Sequence, residues 1–165
     1  MLAAMDKNLS AYYATIKEKN LTVNELLTIA SLVEKEGAKT EDRKLIAGVF
    51  YNRLNIGMPL QSNIAILYAE GKLGQNISLA DDVAIDTAID SPYNVYTKVG
   101  LMPGPVDSPS LDAIESSINQ TKSEYLYFVA NVQDGKVYYA TTLEEHDRNV
   151  QEHINSKLPQ SNSTN

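Results

Sequence analysis

The stretch SLVEKEG, residues 31–37, places two carboxylates where a run of apolar residues ends. On a helix, Glu36 would follow Leu32 and Val33 by one turn, so apolar side chains should crowd it. Gly37 is typical of the position after a helix end, which would put Glu36 at the negative end of the helix dipole. Loss of water and that dipole both raise the pKa of a carboxyl group, and a raised pKa suits a general acid near neutral pH.

The other two charges of this stretch take different positions on the same predicted helix. Glu34 falls on the other flank of the apolar stripe, where it would support the edge of a cleft, and Lys35 points to solvent. Periodicity therefore favours Glu36 over Glu34, but only weakly, because helix ends are uncertain by a residue or two. The alternative, that both are ordinary solvated charges, stays open at this point.

A second candidate group is Gln61-Ser62-Asn63, followed by Tyr68. The two amides offer paired donors and acceptors of the kind that bind sugar hydroxyl and acetamido groups. The alternative is a helix start with Ser62 or Asn63 as its N-cap, a position that both residue types favour.

A third candidate group is Tyr93-Asn94-x-Tyr96, with Pro103-Gly104-Pro105 downstream. Tyrosine rings present flat apolar surfaces with a polar tip, which fit the face of a saccharide. The alternative is a proline-anchored loop that packs its tyrosines on the core. The surrounding segment, residues 71–110, is rich in Gly, Pro, Asp and Ser, and long loops of this kind are usually functional.

Composition excludes several classes of function. The 165 residues carry 14 Lys and Arg against 21 Asp and Glu, a formal net charge of −7, which argues against a nucleic-acid or anionic-lipid partner. The chain has no cysteine, so disulfides, thiolate catalysis and Cys-type zinc sites are excluded. No apolar run approaches the ~20 residues of a membrane span, and the first residues do not resemble a signal peptide.

Metal and nucleophile motifs are also missing from the sequence. His146 and His153 are two helical turns apart, about 10 Å, which is too far to chelate one ion without further ligands. The sequence contains no H-E-x-x-H, EF-hand, P-loop or G-x-S-x-G pattern. We therefore expect no metal and no cofactor, and carboxylate chemistry remains the candidate.

The apolar spacing predicts a mostly helical α+β domain with one small antiparallel hairpin. Helices are predicted over residues 2–19, 23–36, 40 to about 56, a short segment after 63, 111–119 and 143 to about 158. Capping boxes at Thr22 and Thr142 should begin two of these helices. Asp134-Gly135 between two β-rich runs predicts the hairpin turn.

Several ordered motifs together resemble the YceG-like family of endolytic murein transglycosylases. These motifs are SLVEKEG, VFYNRLNIGMPLQSN, PYNVYTKVGLMPGPV, YLYFVAN and TTLEEHDRNV. The resemblance covers residues 21–158, and it implies a lysozyme-like transglycosylase catalytic domain that acts on peptidoglycan glycan strands. It also implies that residues 1–20 are a helical extension and residues 159–165 a disordered tail.

The resemblance assigns the catalytic role to Glu36, the second glutamate of the motif. This residue would protonate the oxygen of the MurNAc-β-1,4-GlcNAc bond and then act as base on the C6 hydroxyl of the same sugar, which closes a 1,6-anhydro ring. The residues that the resemblance and the patterns above place in the cleft are Glu34, Gln61, Ser62, Asn63, Tyr93, Asn94, Tyr96, Pro103 and Gly104. Two alternatives remain, a muramidase-type hydrolase and a noncatalytic glycan-binding scaffold.

The resemblance further implies a cellular setting. The full-length protein would be anchored by a single membrane helix and would act on the extracytoplasmic face of a bacterial membrane. The 165 residues would be a soluble fragment that needs no membrane contact. Its partners would be glycan strands and proteins of cell-wall synthesis, with no nucleic acid and no cofactor.

Overall fold

The chain forms two compact units, Met1–Ser123 and Glu124–Asn165. The structure is a computed structural model that describes residues 7, 9–74, 84–131 and 133–154. The helices of the first unit are α1 (Tyr13–Glu18), α2 (Val23–Glu36), α3 (Thr40–Asn55), α4 (Asn63–Ala69) and α5 (Leu111–Ile118). The second unit holds strands β1 (Tyr127–Ala130) and β2 (Val137–Ala140) and helix α6 (Leu143–His153).

Helix α2 is the centre of the first unit. It contacts α3, α4 and α5, and its residues 28–33 are all buried, so neighbours cover it on every side. Thr22 begins it with the predicted capping box: its hydroxyl accepts from the Glu25 N–H at 3.1 Å, and the Glu25 carboxylate accepts from the Thr22 N–H at 2.7 Å. The predicted bounds of this helix are confirmed, which places the carboxylates of SLVEKEG in its last turn.

Helix α3 packs closely on the segment that leaves α5, and a glycine makes this possible. A Cβ at Gly48 would lie 2.6 Å from the Thr121 carbonyl oxygen, so any larger residue would force the two segments apart. The Thr121 N–H also donates to the Lys44 carbonyl at 3.2 Å. The predicted apolar positions of α3 include Ile46, Val49 and Phe50, all of which are buried.

The first predicted helix is wrong in one respect. Residues 1–6 and 8 of the predicted 2–19 helix lie outside the described residues, and in the rest the chain turns at Ala11 and Tyr12 before α1 begins. The Tyr12 hydroxyl is hydrogen-bonded to the Glu115 carboxylate of α5, a tertiary contact that periodicity does not contain. Leu9 and Ile16 are buried against α2 and α5, as the spacing predicted.

The predicted hairpin is confirmed in the second unit. Strands β1 and β2 pair antiparallel, with Tyr127 opposite Ala140 and Val129 opposite Tyr138. Gly135 takes a left-handed φ of +69° in the turn, a conformation that glycine adopts without strain. Helix α6 contacts both strands and begins with the predicted capping box at Thr142. The predicted continuation of α6 to residue 158 and the tail at 159–165 lie outside the described residues.

Together these elements form a mostly helical α+β protein with a two-stranded antiparallel sheet, as the sequence predicted. Residues 71–74 and 84–110 contain no helix or strand, so the described part of the long segment is a loop. The domain boundaries at residues 20/21 and 158/159 stay predictions.

Candidate active site

The last turn of α2 positions Glu36 through the backbone that follows it. Gly37 is the C-cap, and its N–H donates to the Val33 carbonyl at 3.0 Å. The prediction of a helix-ending glycine is confirmed, and Gly37 has an extended backbone, with φ −115° and ψ 122°. A glycine is needed here because a Cβ would lie 2.8 Å from the Arg43 Cγ.

The Glu36 carboxylate is held by a serine from another helix. The Ser62 hydroxyl donates to Glu36 Oε1 at 2.9 Å, and Ser62 itself is only 2% exposed. Ser62 is the N-cap residue of α4, as the helix-start interpretation predicted, but its side chain makes no capping hydrogen bond. The Ser62 hydroxyl therefore binds Glu36 instead of capping α4. A donated hydrogen bond favours the charged carboxylate and opposes the effect of burial, so the raised pKa of Glu36 stays a prediction.

The segment before Ser62 is held in an unusual backbone conformation. Gln61 has a left-handed φ of +54°, which is uncommon for a residue with a Cβ and is typically maintained by its surroundings at functional sites. Its N–H donates to the Val95 carbonyl at 3.0 Å, and the buried Arg53 guanidinium donates to the Leu60 carbonyl. These contacts direct Ser62 towards Glu36 and leave the Gln61 side chain exposed.

Asn63 and Tyr96 lie next to this pair. The Tyr96 hydroxyl is hydrogen-bonded to Asn63 Oδ1, and both side chains are half-buried. This contact ties the start of α4 to the loop at residues 93–96. The structure thus brings Asn63 and Tyr96 together, two of the residues that the resemblance places in the cleft.

The Asn94 side chain lies inside the loop at residues 93–96 and is not exposed to solvent. It is 0% exposed, and its amide group donates to the carbonyls of Thr87 at 3.1 Å and Ile89 at 2.8 Å. Its oxygen accepts from the N–H groups of Tyr96 at 3.0 Å and Thr97 at 3.3 Å. Both amide hydrogens and the carbonyl are thereby used by backbone groups. In this conformation Asn94 orders the loop and has no surface to offer to a ligand.

Tyr93 forms an aromatic pair with Tyr68 of α4. The ring centroids are 4.7 Å apart with an interplanar angle of 47°. Burial and the neighbouring Tyr68 raise the pKa of Tyr93 above its ordinary value, so the phenol is neutral at physiological pH. Tyr93, of the third candidate group, therefore packs on Tyr68, which the sequence analysis grouped with Gln61-Ser62-Asn63.

The proline-rich segment after Tyr96 runs along α2 in the same direction as the helix. The Asn24 side chain donates to the Pro103 carbonyl at 3.0 Å, and the buried Ser31 hydroxyl accepts from the Val106 N–H at 3.1 Å. Pro103 is exposed, and Gly104 lies between Asn24 and the Tyr93 hydroxyl.

The end of the same segment contacts the last turn of α2. Lys35 is exposed, as predicted, and its Nζ lies 2.7 Å from Asp107 Oδ2, a partner that the sequence did not indicate. The ion pair with Lys35 lowers the pKa of the Asp107 carboxyl. Charge attraction between these two side chains thus draws the loop to the helix.

Glu34 faces a separate set of groups, which we call the Arg43 network: Glu34, Arg43, Ser110 and Asp112. Arg43 donates to Glu34 Oε1 at 3.1 Å, to Asp112 Oδ2 at 2.6 Å and to the Gly37 carbonyl at 2.8 Å. Glu34 Oε2 accepts from both the N–H and the hydroxyl of Ser110, at 3.0 Å and 2.5 Å. The carboxylate that was predicted to support the cleft edge is thus bound to α3 and to the start of α5.

Sequence reasoning missed the residues that position the others. Arg43, Arg53 and Ser110 act through contacts to groups distant in the chain, and no local periodicity indicates such partners. Ser110 carries the one available signal, because a serine before the apolar start of α5 is a typical N-cap, and its hydroxyl does accept from the Ala113 N–H at 3.2 Å.

Neither a metal-binding cluster nor a membrane-spanning helix is found in the described part of the chain. No three His, Cys, Asp or Glu side chains among the described residues come together in a way that could hold a metal ion. His146 stacks on Tyr127 and His153 stacks on Tyr138, with ring centroids 5.3 Å and 3.8 Å apart. No described helix is both long and apolar enough to cross a membrane.

The arrangement suits proton transfer to a neutral, hydroxyl-rich ligand. Glu36 supplies an acid or base, Ser62 orients its carboxylate, and the neighbouring Asn63, Tyr96 and Gln61 supply neutral hydrogen-bonding groups. Fold and site therefore define a mostly helical α+β domain in which the central helix carries a carboxylate into a polar and aromatic site.

Comparison with known proteins gives the family. The model of the YceG-like family matches residues 1–152, so the chain belongs to this family. A relative from Streptococcus pneumoniae serotype 2 is 87% identical over 158 residues, which are 96% of this chain and 29% of the relative. A relative from Bacillus subtilis is 39% identical over 161 residues, 95% of this chain and 43% of the relative. Both relatives are named endolytic murein transglycosylase.

A solved structure gives the same result. The crystal structure of a putative yceG-like protein from Listeria monocytogenes superimposes with a TM-score of 0.79 at 40% identity. The match covers 90% of this chain and 47% of that protein. The chain thus spans less than half the length of each of these relatives.

Proposed function

We propose that this chain is the catalytic part of an endolytic murein transglycosylase, which cleaves the MurNAc-β-1,4-GlcNAc bond of peptidoglycan strands. The observation that carries the proposal is the Glu36–Ser62 pair at the end of the central helix, in a chain 87% identical to a relative of that name. This pair gives a carboxylate in a defined orientation at the position where the motif resemblance expects the acid.

In the proposed reaction Glu36 begins protonated and gives its proton to the glycosidic oxygen as the C1–O bond breaks. The C6 hydroxyl of the same sugar then forms the new bond to C1 and returns its proton to the Glu36 carboxylate. The product is a 1,6-anhydro ring, no water is consumed, and the acid is regenerated. One carboxylate is sufficient because the attacking oxygen belongs to the substrate, whereas glycoside hydrolases typically use two.

The site supports separate roles for the other candidate residues. Ser62 orients the Glu36 carboxylate, and the exposed Gln61 is available to hydrogen-bond sugar hydroxyls. Asn63 and Tyr96 act as one hydrogen-bonded unit beside the reacting ring. Preorganised polar groups of this kind stabilise an oxocarbenium-like transition state without having to move during the reaction.

The remaining candidates act at a greater distance from the reacting bond. The side of the site farther from Glu36 is formed by Tyr93, Pro103 and Gly104. Asn94 orders the loop from within, and Glu34 holds the end of α2 in place through Arg43 and Ser110. We assign positioning roles, not substrate contacts, to Asn94 and Glu34.

The proposal includes the cellular setting. Because the substrate is peptidoglycan, the enzyme would act outside the cytoplasmic membrane, and the relatives are long enough to carry an anchor in addition to this domain. Proteins of cell-wall synthesis would be its neighbours there.

The experiment is digestion of purified glycan strands in H₂¹⁸O, followed by mass spectrometry of the new ends. A transglycosylase gives 1,6-anhydro ends without ¹⁸O, whereas a muramidase-type hydrolase gives reducing ends that carry ¹⁸O. Glu36→Gln is the inactive control, and absence of any product from the wild-type chain would contradict catalysis and favour a glycan-binding scaffold. The wild-type chain and the Glu36→Gln variant should have the same circular dichroism spectrum.

A further inference from the structure

Helix α4 connects two parts of the site that lie apart from each other. Its N-cap residue, Ser62, contacts Glu36 at the C-terminal end of α2. Its last turn carries Tyr68, about 9 Å further along the helix axis at 1.5 Å per residue. A ligand that extends along α4 from Glu36 would therefore reach Tyr68.

Contacts at the far end show that α4 and α2 run in opposite directions. Tyr68 packs on Tyr93, and the Tyr93 hydroxyl lies 3.8 Å from the position of a Cβ on Gly104. The same Cβ position is 3.8 Å from Asn24 Oδ1, in the first turn of α2. The Tyr68 end of α4 thus lies towards the start of α2, while Ser62 lies at its end.

The aromatic pair exposes one of its two rings to solvent. Tyr93 is half-buried and packs on Tyr68, whereas Tyr68 is 39% exposed. The tilted packing restricts the rotation of both side chains, so a ligand that binds the exposed ring orders little that is not already ordered. Tyrosine has an apolar face and a polar edge, which match the apolar face of a pyranose ring and its hydroxyl groups.

Gly104 leaves space beside this ring. The nearest atoms to a Cβ at Gly104 would be at ordinary contact distance, and its backbone has no left-handed φ, so an alanine would be accommodated. Its methyl group would nevertheless project between Asn24 and the Tyr93 hydroxyl, where a ligand seated on the pair would need room.

We propose that Tyr68 and Tyr93 form a second saccharide-binding subsite, which holds a sugar of the same glycan strand at least one residue beyond the bond that Glu36 cleaves. This inference rests on the proposed function and deepens it. The separation of about 9 Å is more than one sugar ring spans, so a strand must be long enough to occupy both places.

The experiment measures binding in the Glu36→Gln background, where cleavage does not interfere. Peptide-free murein glycan strands of increasing length are titrated, and binding is followed by tyrosine fluorescence or NMR. We expect the affinity to rise once a strand reaches the distal subsite. Adding Tyr68→Ala should remove this gain, about tenfold in Kd, and leave the shortest strands unchanged. Tyr68→Phe should retain most of the gain, and Gly104→Ala should reduce it without a change in melting temperature.

Tyr13→Ala is the matched control, because Tyr13 is 42% exposed on α1, a helix that supplies no residue of the site. Equal binding curves for Tyr68→Ala and Tyr13→Ala at every length would overturn the subsite. A loss equal for short and long strands would also overturn it, as would a loss seen only with strands that carry stem peptides. Failure of the subsite can be distinguished from failure of the proposed function, because a hydrolase would show the same binding, whereas the isotope experiment decides the reaction.

Discussion

The last turn of α2 carries two glutamates whose surroundings differ in kind. Glu34 belongs to the Arg43 network, where a guanidinium and the Ser110 N–H and hydroxyl hold both carboxylate oxygens. Glu36 accepts from the hydroxyl of Ser62, a neutral donor beside exposed and half-buried polar groups.

Glu34 is fixed in place by a guanidinium and two donors of Ser110, which suits a structural role. Ser62 orients the Glu36 carboxylate, and we expect Glu36 to carry the proton transfer of the proposed function. Two residues of one type, two positions apart on one helix, thus differ in the hydrogen-bond partners that the tertiary structure gives them.

The largest expected difference between Glu36 and Glu34 is the effect of their substitution on the cleavage rate. Glu36→Gln should lower the cleavage rate by about 10²–10⁴, the usual contribution of a general acid–base residue, while the amide oxygen still accepts from Ser62. The melting temperature should stay unchanged or rise slightly, because a neutral amide replaces a partly buried carboxylate. Glu34→Gln should retain most of the rate and melt earlier, since it loses the charge that faces Arg43.

Rates are measured on glycan strands and melting by circular dichroism. If Glu34→Gln abolished cleavage at an unchanged melting temperature, the two roles would have to be exchanged.

Removing the cation should break the Arg43 network. Arg43→Ala deletes bonds to Glu34, Asp112 and the Gly37 carbonyl, and should lower the free energy of unfolding by about 2–3 kcal/mol. Arg43→Lys should recover part of this loss because lysine keeps the charge without the planar fork. Urea denaturation measures both variants.

Arg148 provides the matched control for this prediction. Its side chain is 61% exposed and pairs with Glu144 at 3.5 Å, an exposed pair within one helix that is worth below about 0.5 kcal/mol. Equal losses for Arg43→Ala and Arg148→Ala would show that the Arg43 network is ordinary surface charge.

Two serines, each an N-cap residue, sharpen the comparison further. Ser62→Ala should lower the rate by about tenfold with little effect on stability, because its hydroxyl binds Glu36 and does not cap α4. Without this donor the carboxylate becomes easier to protonate, so the alkaline fall of the rate should shift to higher pH. Ser110→Ala removes a true N-cap and a Glu34 contact, and should cost about 1 kcal/mol of stability while the rate is kept.

The cleavage rate as a function of pH and the melting curve, both measured for each variant, test this prediction. An unchanged pH profile in Ser62→Ala would contradict the positioning role of Ser62.

The smallest expected effect is the acid sensitivity of the Arg43 network. Arg43 holds the pKa of Asp112 below its ordinary value of 3.8 in the folded protein. A depressed folded pKa stabilises the protein at pH values above the unfolded pKa, and this stabilisation is lost as the pH falls below about 4 through the folded pKa. Asp112 is 39% exposed, so the effect should be small and weaker at high salt.

Asp112→Asn should flatten the dependence of the melting temperature on pH below about 4. A slope equal to that of the wild-type chain would show that Asp112 contributes nothing there.

Local rules were sufficient for much of the fold. The bounds of α2, both capping boxes and the hairpin turn follow from contacts within a few residues of each other, which a sequence displays directly. The turn at Tyr12 was not predictable because it depends on Glu115, a partner far along the chain.

The same distinction applies to the site. The position of Glu36 on the helix end could be predicted, but its bond to Ser62 depends on how the start of α4 returns to the end of α2. The burial of Asn94 depends on the irregular path of its own loop, whose Thr87 and Ile89 carbonyls it binds. Gly37 shows both aspects: its place at the helix end was predictable, whereas the reason for a glycine, the close approach of Arg43, is tertiary.

A crystal structure of the Glu36→Gln variant with a bound glycan fragment would show directly which side chain reaches the reacting bond. We expect the side chain at position 36 to lie within about 2.6–3.2 Å of a glycosidic oxygen, with Ser62 on its other side and Glu34 still bound to Arg43. A glycosidic oxygen in contact with Glu34, or a glycan that passes the end of α2 without approaching position 36, would contradict it.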